Sequence, residues 1–144
     1  MKKIKFILII VAFIQSSNLN AQTPPPVTDT LAYLQNIVNN KALYIGQPFS
    51  VLLNTLSIQI KFFSPFAAIH YDKNKETSTS FSFYFPQNYE EVYLTYPKLE
   101  IYWQPYLNRV QSDIFWESNN GGGWSPIIGN YYGAGIIADI KVIE

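Results

Sequence analysis

His70 is the single histidine in the chain, and cysteine is absent. Zinc sites usually take several His or Cys ligands, so this inventory is too thin for one. A Ser-His-Asp set is arithmetically possible around His70, but no G-x-S-x-G elbow is present to expose a serine nucleophile. His70 reads instead as a histidine at the edge of a loop or strand. Asp72, Asn74 and Glu76 alternate in DKNKE like the start of a calcium loop, but Thr77 and Phe83 stand where that motif needs Gly and Glu. The interleaved Lys73 and Lys75 would repel the ion, and YDKNKETSTS, residues 71–80, reads as an exposed loop.

Glu90, Glu91 and Glu100 are the carboxylates that a cell-envelope hydrolase could use. Glycoside cleavage needs two such groups about 5 to 10 Å apart across a sugar. Neighbours on a strand point to opposite faces, so Glu90 and Glu91 do not converge by themselves. SNNGGGW lacks the lysine and the helix opening of a phosphate cradle, which leaves a glycine hinge beside Trp124. No catalytic residue, metal ligand or cofactor is assigned from these patterns, and a hydrolase ranks third among the functions considered.

The aromatics carry more functional weight. Phe, Tyr and Trp make up 17% of the chain, too many for all of them to be buried in one small domain. Tyr84 and Tyr102 fall opposite the apolar parity of their strands and are expected to point outward. Together with Tyr106, Trp116, Trp124, Tyr131 and Tyr132 they form the candidate ligand-binding set, with Tyr93 a further aromatic of the same kind. Exposed Tyr and Trp offer flat apolar area with a polar edge, suited to a sugar or a protein partner. The alternative is that they cover the second sheet face beneath a loop or helix.

These side chains must be positioned by elements that begin after an export signal. Lys2, Lys3 and Lys5 precede a nine-residue apolar run, Phe6 to Ile14, and a polar stretch ending at Ala21. A spanning helix needs roughly 20 apolar residues. Residues 1–21 therefore read as a signal peptide, with cleavage leaving Gln22 first and the protein periplasmic or extracellular. Removing the three lysines lowers the basic residues from ten to seven, against ten acidic. That balance argues against nucleic acid and gives no polybasic handle for a membrane. Stable membrane insertion after cleavage is not expected. The partner is expected to be a protein or glycan of unknown identity. Without cysteines, packing alone must hold the domain together.

Residues 22–28 read as a proline-rich linker, and 29–144 as one α+β domain. Its expected form is two-layered, a mainly antiparallel sheet of four to five strands with short helices on one face. Leu31, Leu34, Ile37 and Val38 mark a first helix behind Thr28 or Asp29. Gln47-Pro48 opens a second helix with Phe49, Leu52, Leu53 and Leu56 as its stripe. From Ser57 the period becomes two, with Ile58, Ile60 and Phe62 on one side, until Ser64-Pro65 breaks the strand. Phe81, Phe83 and Phe85 mark the next strand, Val92–Tyr96 a short one, and Leu99, Ile101 and Trp103 another. Gln104-Pro105 repeats the cap-and-proline device, so Leu107, Val110 and Ile114 would line a helix, although residues 105–118 also scan as a strand. Ser125-Pro126 opens a last helix ended by Gly133. Ile136, Ile137, Ile140 and Val142 mark a terminal strand placed at the centre of the sheet.

Ile45-Gly46, the helix after it and Ile58–Ile60 resemble half of a PASTA domain, a bacterial extracellular module associated with peptidoglycan recognition. The likeness spans roughly twenty residues. Ser57-Ile58 stands where that family closes its helix with Gly-Leu, and the rest of the chain does not follow it. The likeness is read as shared local physics rather than membership.

Overall fold

The change of rhythm after Leu56 falls between elements: the helix before it ends at Leu53, the chain bends at Ser57 and Ile58, and the strand expected from Ser57 begins only at Phe62. A computed structural model describes residues 29–84 and 96–144. The expected leader and proline linker, Phe85, and residues 92–95 of the expected short strand lie outside the described residues, as do Glu90, Glu91 and Tyr93.

Helix α1, Thr30–Asn39, starts where Asp29 Oδ1 accepts from the Ala32 amide at 3.0 Å. Leu34 and Ile37 are its buried residues. A short 3-10 turn, Lys41–Leu43, follows. Helix α2, Phe49–Leu53, is shorter than its apolar stripe suggests, and Pro48 occupies the cap rather than the first turn. Thr55 Oγ1 donates to the Leu52 carbonyl at 2.8 Å, giving that backbone group a partner outside the helical ladder. Leu56 then packs on the core from beyond the helix.

One sheet runs in chain order: β1 (Phe62–Phe66), β2 (Lys75–Ser82), β3 (Lys98–Asn108) and β4 (Ile137–Ile143), each antiparallel to the next. Two rows form its inner face, Phe63–Phe81–Leu99–Val142 and Pro65–Thr79–Ile101–Ile140. Helices α1, α2 and α4 (Pro126–Gly133) set Leu34, Ile37, Phe49, Leu52, Ile128 and Tyr132 into the same core. The expected two-layer α+β architecture is what the chain adopts. Ile60, Phe81, Leu99 and Ile101 share that interior, with Ile58 and Phe83 packed against it. Aromatic rings knit its centre: Phe49 stacks on Phe81 at 4.8 Å, and Trp103 meets Phe49 edge-on at 5.6 Å.

Several local expectations are corrected. Ser64-Pro65 does not break β1 but sits inside it, with Phe63 and Pro65 turned inward rather than Phe62. Proline is tolerated there because β1 is the first strand of the sheet and lacks a full ladder on one side. The polar run at 71–80 is not all loop: from Lys75 it is the central strand β2, and Glu76, Thr77, Ser78 and Thr79 are buried. No helix starts at Pro105, since β3 continues through a cis Gln104–Pro105 peptide to Asn108. Helix α3, Arg109–Ser118, begins where Asn108 Oδ1 accepts from the Gln111 amide at 3.2 Å, a short cap that the longer Gln104 side chain does not provide. Val110 and Ile114 on α3 are exposed, not inner. The terminal strand β4 is an edge, because strands taken in order leave the last one outside.

Both edges are partly covered. Gly46 and Gln47 exchange backbone bonds with Ile137 of β4 at 2.8 and 3.0 Å, aided by the positive φ of Gly46 (79°). At the other side, the Phe63 amide donates to the Gly122 carbonyl and the Trp124 amide to the Lys61 carbonyl, both at 2.9 Å. Among the described residues, no helix is long and apolar enough to cross a membrane.

Candidate functional site

Two places in the molecule concentrate polar groups. The first is buried. The register of β2 against β3 is irregular between Glu76 and Ser78, and the Glu76 carboxyl meets groups from β2, α3 and α4. Its Oε1 accepts from the Thr79 hydroxyl and from Tyr132 OH, the latter at 3.1 Å, and its Oε2 accepts from the Ser112 hydroxyl. Trp103 Nε1 donates to Thr79 Oγ1 at 2.8 Å, so the β3 indole joins the chain of bonds. Tyr131 OH lies 3.3 Å from Ser112 Oγ and donates to the Asn108 carbonyl at 3.1 Å.

Burial pushes the Glu76 carboxyl above the usual carboxylate range; the three hydroxyl donors and the Arg109 charge pull back against that rise. Burial and the neighbouring Glu76 charge raise the Tyr132 phenol as well. Glu76, Thr79, Ser112 and Tyr132 are all 0% exposed, so no substrate atom reaches them in this conformation. What the arrangement does chemically is fasten β2, α3 and α4 through one carboxyl group, with β3 joined through Thr79. Sequence patterning misses it because the inward turn of Glu76 depends on the irregular register, which alternation along one strand does not encode. The available signal was the Ser/Thr richness of TSTS, suited to strand, leading into Phe81.

The second place is open. A cleft of about 720 Å³ lies between α2, the run Ile58–Lys61, and the start of α4. Trp124 forms one wall, held by Phe81 edge-on at 5.7 Å and by Tyr132 stacked at 6.5 Å. Asn54, Gln59 and Asn130 bring amides, Ser50 and Ser125 hydroxyls, and Leu53, Leu56 and Ile58 apolar area. Lys61 is the charged side chain in this lining, its Nζ 3.0 Å from Gln59 Oε1. Amides, hydroxyls and one indole suit binding; the lining holds no carboxylate and no histidine to move a proton.

The aromatics proposed from sequence are dispersed. Tyr84 is 36% exposed and stacks on Tyr96 at a centroid distance of 4.0 Å. Tyr102 lies on the outer sheet face, its hydroxyl donating to Glu100 Oε2 at 2.7 Å, with Lys141 Nζ 4.5 Å from the ring centre. Glu100 also accepts from the buried Ser78 hydroxyl at 2.9 Å, so it anchors that face. Tyr106 and Trp116 are exposed, and among the described residues neither contacts another ring. Tyr131 is half-buried against Phe115, and Tyr132 offers no accessible face at all. Of the set, Trp124 alone lines the cleft.

His70 and Asp72 stand apart from both places. His70 lines a smaller cleft of about 390 Å³ with Lys73, Arg109 and Asp113. Arg109 Nε and Asp113 Oδ1 there form an ion pair at 2.6 Å, and Asp72 pairs with Lys75 at 3.0 Å. Among the described residues, no group of three or more His, Cys, Asp or Glu could hold a metal ion. No family model, curated protein or solved structure matches the chain.

Proposed function

We propose that the protein is an exported, non-catalytic binding or interaction protein whose ligand seat is the cleft between α2, Ile58–Lys61 and α4. The observation that carries this reading is the lining itself: three amides, two hydroxyls, one lysine and an indole held in place by the core, with no carboxylate or histidine among them. Export is supported by the Lys-flanked apolar run and the Ala21 boundary. N-terminal sequencing of the protein recovered outside the cytoplasm should begin at Gln22 or within a residue or two of it; an intact Met1 terminus would remove that half of the proposal.

A glycan or cell-wall ligand is the second reading, favoured by Trp124 standing beside Asn54 and Asn130, since sugars combine flat apolar faces with hydroxyls. Titration followed through the Trp124 indole resonance separates the outcomes, using soluble polysaccharides, muropeptides and peptides as probes. A shift at Trp124 and at the Asn54 and Asn130 amides supports the cleft as the seat. Ligands that bind and move only Tyr106, Trp116 or Tyr84 would place the seat elsewhere.

A further inference from the structure

The cleft marks the point where a backbone ladder stops. Residues 61–63 pair with 122–124, and the pairing ends at the bond from Trp124 to Lys61 because Ser125-Pro126 turn the chain into α4. One step further back, the backbone N–H and C=O groups of Ile58, Gln59 and Ile60 have no protein partner among the described residues. Lys61 joins the two sides, its carbonyl accepting from the Trp124 amide and its own amide donating to the Ser82 carbonyl at 2.7 Å, and Ile58, Gln59 and Ile60 before it line the cleft where α4 turns away.

We propose that the cleft accepts an extended peptide strand from a partner protein, which continues the interrupted ladder along Ile58–Ile60; this rests on the cleft being the ligand seat. A peptide matches a free strand edge donor for acceptor, which the hydroxyl spacing of a sugar does not. Leu53, Leu56 and Trp124 give apolar seats for alternate side chains of the visitor. Lys61 favours an acidic residue or a terminal carboxylate next to it. The chain's own Thr23–Thr28 segment is a poor occupant, since Pro24, Pro25 and Pro26 carry no N–H to donate.

The test selects binders from a random decapeptide library against the whole exported chain, then synthesises the best one with alternate amides N-methylated in either of two registers. One register should lose affinity by about tenfold or more while the other keeps it, because only one edge of the visiting strand faces the protein. The Gln59 amide should exchange its hydrogen about tenfold more slowly in the complex. Gln59→Pro, which removes the backbone N–H, should weaken binding by about tenfold more than Gln59→Ala, which keeps it. Equal binding by both methylated peptides, unchanged exchange at Gln59, or a library with no cleft binder overturns strand addition. A soluble polysaccharide that shifts Trp124 when no peptide does overturns strand addition and leaves the cleft reading standing. A peptide that binds without touching Trp124 or Gln59 overturns both.

Discussion

The Glu76 cluster and the cleft beside Ile58–Lys61 treat polar groups in opposite ways. Around Glu76 a carboxyl, three hydroxyls and an indole are enclosed, and among the described residues no buried side-chain polar atom lacks a partner. Around Gln59 the main chain itself stands unpaired, among the described residues, at the rim of an open space. The first place has used up its bonding capacity on its own fold. The second has kept some in reserve, and only such a place has anything to give a ligand. A conspicuous charged group is thus a poorer guide to function here than a quiet stretch of backbone.

The contrast can be broken most forcefully at Glu76. Glu76→Ala leaves the Thr79, Ser112 and Tyr132 hydroxyls without their acceptor and should cost about 3 kcal/mol or more in chemical denaturation. A loss below about 1 kcal/mol would show that the cluster does not fasten the elements it joins. Proline substitution compares the two kinds of backbone directly. Lys61→Pro removes the amide that donates to the Ser82 carbonyl at 2.7 Å and should cost about 2 to 3 kcal/mol. Gln59→Pro removes an amide with no partner among the described residues and should change stability by less than about 1 kcal/mol. Equal losses at the two positions would mean that the Gln59 amide is engaged after all.

The pH dependence sharpens the same point. The folded state raises the Glu76 carboxyl, so unfolding releases a proton between the ordinary value and the raised one. Stability from this group is full below the ordinary carboxylate range and falls as pH rises through the folded value. In Glu76→Gln that downward slope should vanish from denaturation curves collected from the ordinary carboxylate range upward. Asp139 runs the other way: its bond to Lys41 holds its carboxyl below the usual range, so that contribution is lost as pH falls through the lowered value. Lys41 and Asp139 are both more than a third exposed, and Lys41→Ala should cost no more than about 0.5 kcal/mol.

The layers of the fold were legible because their signals are local. The α1 stripe, the Asp29 cap, the inward parity of Leu99, Ile101 and Trp103, and the Pro126 start of α4 each depend on residues within a turn or two. The misreadings share a different cause. The polar β2 enters the interior because Glu76 is met by Ser112 and Tyr132, which lie 36 and 56 residues away. Such partners are invisible to any window along the chain. The Gln104-Pro105 pair imitates a helix start, yet the true start waits for the shorter Asn108 side chain. At the cleft, Trp124 could be singled out by type, but that the Ile58–Ile60 amides find no partner among the described residues follows only from the folded chain.

Gly122 sets a lasting condition on this surface. With φ at 96°, any side chain there would be forced into the Phe63 carbonyl and the Trp116 indole, which is 2.7 Å from the place a Cβ would take. Mutation over generations can therefore rewrite most of the cleft's lining, while this glycine and the indole two places after it hold the rim in shape. Kin of this chain that have drifted beyond recognition elsewhere should still betray themselves by that pair.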